Sequence, residues 1–588
     1  MTAITVLGTC HHDCPDSCGW VATVENGVAV KLRGNPAHPY SQGELCPKVN
    51  RFLDRVYSPE RILHPMRRTG PKGSGTFEEC SWDEALALVA DRIGEVRDTW
   101  GGEAIFPWWD AGTQGLIQMS SLDRRLFAAL GASQLTDSLC GEAAGHGTAA
   151  TYGVTRAADP MSVRHAQLII LWATNTRLTN RHLWPFVEEA RANGAQVVVI
   201  DVMKTVTAEA ADWFLQPLPG TDVALMLGMM HVLIRDDLID HDYVNAHAVG
   251  YEQLVDHVAG WTPEKAAEVC GLAADDIERL ATAYGTTRPA FIRTLIGAEH
   301  HENGAMFFRS LACLPVLTGS WKDHGGGMAR SVGSWNYLNV DGSVFDPATE
   351  QTTRRLSMNR LGRVLTDDTL DPPVKALFVW NGNPVVTVPN ADLIRRGLER
   401  EDLFTVVSEQ FMTDTARYAD VIFPATTQLE QLDVVESWGS LYLGWNEAAI
   451  APLGESVPNT ELWRRLAKAL GIDDPLFELD DEALVLSALN DVDVAEIRAN
   501  GFVRLSVPEQ LMPYVDGGFG TPSGKAELYS ERLAADGLPA LPDYVAPRES
   551  PAGDPALVEH YPLALLTPKV HTRFLNSSYS HLPKHGPL

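Results

Sequence analysis

Long apolar runs are missing from this chain, and cysteine is scarce, with 8 among 588 residues. No run approaches the roughly 20 apolar residues of a bilayer-spanning helix, so direct membrane insertion is not expected. The opening Met1-Thr2-Ala3-Ile4-Thr5 has neither a basic leader nor a twin arginine. The expected location is therefore cytoplasmic, unless a partner subunit carries an export signal. Positive charge is short too: 47 Lys and Arg face 76 Asp and Glu, a formal charge of -29. That balance repels a phosphate backbone and removes nucleic acid from the expected partners. What is present is a globular composition, 45% hydrophobic and 21% charged, over a length that calls for several domains.

Half of the few cysteines crowd together. Cys10-His11-His12-Asp13-Cys14-Pro15-Asp16-Ser17-Cys18 is followed by Cys46-Pro47-Lys48. Three thiolates spaced four apart on one loop, joined by a fourth from a later turn, can close around an iron–sulfur cluster. Zinc is the competing occupant, but zinc ribbons favour paired cysteines in two knuckles, and here the split is three and one. Disulfides fit poorly, because Cys80, Cys140, Cys270 and Cys313 are scattered and nothing marks the chain as secreted. The segment from Trp20 to Leu32 alternates and turns at Asn26-Gly27, a hairpin that would return Cys46 to the other three. Lys48 either offsets cluster charge and links it to a neighbouring cofactor, or is a solvated surface lysine.

From Ser81 onward strands alternate with amphipathic helices: Trp82 to Val96 helical, Glu103 to Trp108 extended, Ser121 to Leu130 helical. Such alternation predicts parallel sheet covered by helices. Cys140 follows an extended piece and precedes Gly141-Glu142-Ala143-Ala144-Gly145-His146-Gly147, where a helix N-terminus would stabilise a thiolate. Taken alone, it reads more simply as an inert buried cysteine.

The most informative feature is a repeat. Leu168-Ile169-Ile170-Leu171-Trp172-Ala173-Thr174-Asn175 is matched by Ala376-Leu377-Phe378-Val379-Trp380-Asn381-Gly382-Asn383. The end of the strand Val197 to Asp201 is matched by Val406 to Glu409, and Thr205 to Asp212 by Thr413 to Asp420. The offset is 208 in all three pieces. Each copy puts a turn and an acid at the carboxyl ends of consecutive strands, where open α/β sheets bind nucleotides. Two equivalent nucleotide-like groups are the functional interpretation; a repeat that merely preserves a fold is the plain one. Between the copies, Pro219-Gly220-Thr221-Asp222 leads into a helix from Val223 to Ile234 whose Met and Leu residues suit a core. Residues 533–560 have linker composition. Tyr561 to Thr567 is then expected to start a new strand, and the chain ends at Leu588 barely into that unit.

Together the four-cysteine loop, Lys48, Cys140, the doubled unit, Tyr57-Ser58-Pro59-Glu60-Arg61 and Thr521-Pro522-Ser523-Gly524-Lys525 resemble the catalytic subunits of the molybdopterin oxidoreductase superfamily, dimethyl sulfoxide reductase type. The resemblance implies an α/β multidomain fold: a [4Fe-4S] hairpin domain at 1–60 with part of 452–540, and two doubly wound dinucleotide-binding domains. One of these is 61–139 plus 341–451, with the second site, and the other is 140–340, with the first. Residues 561–588 would begin a C-terminal β-barrel, so the chain is expected to be C-terminally short. The implied cofactors are a [4Fe-4S] cluster on Cys10, Cys14, Cys18 and Cys46, and molybdenum or tungsten held by two molybdopterin guanine dinucleotides. Cys140 matches the metal ligand and Lys48 the position between cluster and pterin. Asn175, Asp201 and Asp222, with Asn383, Ser408 and Glu409, match dinucleotide contacts; Thr567 and His571 are assigned to cofactor binding as well.

Two-electron redox chemistry on a small substrate follows from the resemblance, with an electron-transfer partner docking near the N-terminal loop. Formate fits less well, since Gly141 and Glu142 replace the histidine that follows the metal ligand in formate dehydrogenases, although Arg330 can stand for their substrate arginine. Lys204 cannot reproduce the bidentate arginine of the usual Asp-Pro-Arg. Two alternatives stay open. One is a tungsten hydratase similar to acetylene hydratase, using Asp13 or Asp16, and the other is a relay subunit that keeps only the cluster. Trp108, Trp109, Gln114 and His146 are the pocket candidates.

Overall fold

The computed structural model describes residues 3–568 and residue 579. At the N-terminus, Ile4–Thr9, Gly19–Glu25 and Val28–Gly34 form a three-stranded antiparallel sheet. Its second turn is the expected Asn26-Gly27, with both residues at positive φ (54° and 80°). That conformation matches the twist of the flanking strands and costs glycine nothing. Cys10 and Cys18 leave adjoining strand ends, and the Cys10 N–H donates to the Cys18 carbonyl (2.9 Å), closing the loop.

Two larger sheets form the body. The first runs Trp213–Leu215, Gln196–Ile200, Leu168–Trp172, Ala290–Thr294, Gly327–Ala329, parallel throughout. Its strands are near-continuous apolar runs because helices cover both faces. The second sheet places Val421–Pro424, Phe404–Glu409, Ala376–Trp380 and Ile105–Trp109 in parallel, with antiparallel Met66–Arg68 and Phe77–Glu79 at one edge. Both copies of the repeat thus become the same three-strand ladder.

The match extends to single hydrogen bonds. The Thr207 hydroxyl donates to Asn175 Oδ1 (2.7 Å) and accepts from the Arg177 N–H (3.0 Å). The Thr415 hydroxyl donates to Asn383 Oδ1 (2.6 Å) and accepts from the Val385 N–H (3.1 Å). Asp212 and Asp420 accept the backbone N–H of Val197 and Thr405 at 2.8 and 2.7 Å. Ala173 and Asn381 share a positive φ of 50° and 54° at the strand-end turn.

The helix expected from Trp82 forms as Trp82–Trp100, started by a Ser81/Glu84 capping box that satisfies its first N–H groups. Asp222–Arg235 sinks Met226, Met229 and Met230 completely into the core. One expectation fails: residues 561–568 form no strand and lie exposed, Leu563 and Leu565 at 87% each. A strand needs a partner edge for its backbone groups, and no described strand pairs with this stretch. The linker before it holds two short helices, Glu531–Ala535 and Pro555–His560. His571 lies outside the described residues. Among the described residues no helix is long and apolar enough to cross a membrane.

Candidate functional site

The N-terminal thiols lie close enough to raise one another's pKa. Burial pushes Cys10 up to about 12, with Cys46 adding and Lys48 opposing. Cys14 and Cys18 move up for the same first reason, followed by Asp16 and the other thiols. All four are reduced. Buried thiols that resist ionising one beside another carry thiolate charge only when metal replaces the protons, so this donor set fits an iron–sulfur cluster. Lys48 is half-buried.

Behind the loop lies a buried ion pair. His182 Nδ1 is 2.8 Å from Asp16 Oδ2 and 3.6 Å from Cys18 Sγ, and its Nε2 is 3.2 Å from the Glu44 carbonyl. A carbonyl only accepts and a carboxylate held ionised only accepts, so both ring nitrogens donate and the ring is an imidazolium. Asp16, drawn down by His182 and by Asn180 against the burial that opposes them, is a structural partner. Asp13 faces elsewhere: Gln114 Nε2 donates to its Oδ1 (3.2 Å), and its charge is the largest electrostatic influence on the Cys140 thiol.

Cys140 lies between Gln134–Thr136 and the helix Glu142–Tyr152. Its N–H donates to the Ser138 hydroxyl (3.0 Å), and its carbonyl meets His300 Nε2 (3.2 Å). The helix end does not make it a thiolate. Burial pushes it up to about 12, with Asp13, Glu299 and Asp110 adding and Arg330 opposing. Arg330 lies against Gly141, whose missing Cβ would sit 3.0 Å from Nη2. Its guanidinium is held by Glu299, through Nε at 3.1 Å and a shorter Nη2 contact, and lies 5.5 Å from the Trp438 ring centre. Glu299, its side chain 0% exposed, also accepts the Ala144 N–H (3.1 Å) at the start of that helix.

At the second sheet, Asn383, Ser408 and Glu409 line one cavity of about 470 Å³ together with His11 and His12 of the cysteine loop. Burial raises Glu409, and Arg55 opposes the rise. At the first sheet, Asn175 and Asp201 stand half-buried at their strand ends, and burial raises Asp201 to about 6 with Asp222 adding. Asp222 is buried and accepts the Trp172 indole N–H (2.8 Å).

The pocket candidates separate. Gln114 reaches the site through Asp13; Trp108 is fully buried in the second sheet's core and Trp109 stacks on Trp380. His146, its side chain 74% exposed, pairs with Glu142 on the helix surface, because its position one turn along points it outward. Thr567 is exposed. Glu299, His300 and His182 escaped sequence reasoning, since no motif marks them and only tertiary packing brings them to the cysteines; Arg293, beside Asn180 and the Arg330 carbonyl, escaped it for the same reason.

Two matched sheets whose repeated strands end in the same turn, a shielded quartet of thiols and a separate half-buried thiol at Cys140 are the architecture of a cluster-containing cofactor enzyme. The chain belongs to the molybdopterin oxidoreductase family: the model described as "Molybdopterin oxidoreductase" matches residues 61–469, and "Molybdopterin oxidoreductase Fe4S4 domain" matches residues 5–58. It is 39% identical over 98% of its length to "Probable oxidoreductase YoaE" of Bacillus subtilis (strain 168), covering 84% of that protein. It is 28% identical over 90% of its length to "Dimethyl sulfoxide reductase DmsA" of Escherichia coli (strain K12), covering 71% of that protein. Among solved structures, acetylene hydratase from Pelobacter acetylenicus superposes with a TM-score of 0.77 at 23% identity, covering 94% of this chain and 82% of that one. The family and its Fe4S4 domain imply a [4Fe-4S] cluster and a molybdenum or tungsten bis(molybdopterin guanine dinucleotide) centre.

Proposed function

We propose that this protein is a molybdenum- or tungsten-dependent oxidoreductase acting on a small substrate, with Cys140 as the protein ligand to the metal and Cys10, Cys14, Cys18 and Cys46 holding the cluster. The observation that carries the proposal is the setting of Cys140: a half-buried thiol at the start of the helix Glu142–Tyr152, next to Gly141 where the Arg330–Glu299 pair packs, its pKa pushed by burial up to about 12. When bound, the metal centre supplies two-electron chemistry and the cluster single-electron relay. This chain's residues do the rest. Asn175, Asp201 and Asp222 would hold the first dinucleotide and Asn383, Ser408 and Glu409 the second, with Lys48 offsetting cluster charge. The domain division expected from sequence, with 61–139 joined to 341–451 around the second site, is supported by the sheet that combines Ile105–Trp109 with Ala376–Trp380. An electron-transfer partner would dock near the N-terminal loop.

The Arg330 guanidinium already faces Glu299. A substrate carboxylate would have to displace that buried partner, so we favour an uncharged oxo-substrate of the sulfoxide kind over formate, in keeping with the DmsA relative. The test is metal analysis of anaerobically purified protein, joined to a dye-coupled screen of sulfoxides, thiosulfate, formate and acetylene. Iron together with molybdenum or tungsten, and dye-dependent turnover, is the expected result; iron without either heavy metal would overturn it. A second proposal, a hydratase, draws on Asp13, the acid with the largest electrostatic influence on Cys140. Acetylene hydration without any electron acceptor would establish it.

A further inference from the structure

Arg293 lies on Ala290–Thr294, which flanks Leu168–Trp172 on the side opposite Gln196–Ile200. Here the strand order of the first sheet reverses, and open α/β sheets take ligands in the crevice at that point. The residue is 0% exposed. Its Nε donates to Asn180 Oδ1 (3.0 Å) and its Nη1 to the carbonyls of Ala329 (3.3 Å) and Arg330 (2.9 Å). All three acceptors are uncharged, and Nη2 has no partner among the described residues. Asp16, the acid that acts on it electrostatically, is already bonded to His182 and to Asn180.

A buried guanidinium whose terminal nitrogen is unbonded and which faces no carboxylate is costly unless an anion completes it. The contrast with Arg309, the other fully buried arginine near this sheet, is instructive. Both of its terminal nitrogens are engaged, by Thr151, the carbonyls of Glu527 and Leu528, and that of Ala540, and only its Nε, at the stem, lacks a partner among the described residues. Arg309 ties chain segments together, whereas Arg293 keeps a donor in reserve at a strand end. The second sheet repeats the pattern: Trp108 pairs with Val379 as Arg293 pairs with Leu171, and the buried Trp108 Nε1 likewise has no partner among the described residues.

We infer that Arg293 is an anion-binding residue of the first cofactor site, its Nη2 reserved for a negatively charged phosphate oxygen of the dinucleotide seated at the carboxyl end of the first sheet. This rests on the cofactor assignment above. The test compares full-length wild-type, Arg293→Met and Arg293→Lys proteins purified anaerobically. Acid-released guanine nucleotide and iron are measured per chain, along with the melting temperature of each cofactor-depleted form. Arg293→Met should release guanine per iron falling toward half of wild type at unchanged iron, and Arg293→Lys should restore most of it. The depleted Met variant should melt no lower than depleted wild type, because an incompletely paired buried charge has gone. A Met variant with a wild-type guanine-to-iron ratio overturns the inference, as does a loss of iron in step with guanine, or an equal drop in melting temperature with and without cofactor. Wild-type protein containing iron but no guanine nucleotide would overturn the cofactor assignment itself, a result separate from these.

Discussion

Glu299→Gln isolates the charge pair beside Cys140. The amide can still accept the Ala144 N–H, but Arg330 loses its only carboxylate in the described ion pairs. Removing one member of a buried ion pair costs about 3–5 kcal/mol. Arg330 keeps 15% side-chain exposure and the Trp438 ring face, so the lower end, about 3 kcal/mol, applies. With about 2–4 °C per kcal/mol for a domain of this size, the expected loss is roughly 6–12 °C in melting temperature. Arg330→Met should cost more, toward the upper end of that range, since the carboxylate it strands is fully buried and keeps only the Ala144 N–H, and the double variant should fall well short of the sum of the two. The thiol reports independently. Glu299 raises the Cys140 pKa and Arg330 lowers it, so Glu299→Gln makes the thiol more acidic and Arg330→Met less so. Alkylation rate against pH in the cofactor-depleted chain, with Cys140→Ser as the blank, measures both shifts. A coupling below about 0.5 kcal/mol, or a thiol pKa that rises in Glu299→Gln, would refute the argument.

Cys140→Ala should abolish molybdenum or tungsten retention while iron stays at the wild-type level, as read by elemental analysis. Thr207→Val and Thr415→Val each remove two hydrogen bonds of the same pattern, one with a buried acceptor side chain in the second copy; each should cost about 1–3 kcal/mol in urea unfolding, and a silent variant in either copy would break the equivalence. Asp201 holds its proton in the folded state up to about 6, above its ordinary value. Between those limits the folded chain binds a proton that the unfolded chain has released, so stability of the depleted protein falls as pH rises through the window and levels off above it. Binding of GDP to the depleted chain, followed by calorimetry, should strengthen over the same window as the carboxylate forms, and Asp201→Asn should flatten that profile.

The sequence by itself determined the parts that depend on local chemistry and on period. Cysteine spacing, the Asn26-Gly27 turn and the 208-residue offset each act over short stretches, and the structure turns that offset into paired hydrogen bonds at Thr207 and Thr415. Apolar strand runs likewise announced the parallel sheets. Tertiary structure alone decided which charges meet. Asp16 and Asp13 stand three residues apart on one loop, yet packing gives the first to His182 and turns the second toward Cys140. Arg330 was visible, but Glu299 was not, because an ion pair between two loops that follow separate strands leaves no periodic trace. Arg293 reads as one more strand residue until the fold buries it at the reversal point of the sheet, where a charge without a full set of partners becomes a physical demand for a ligand.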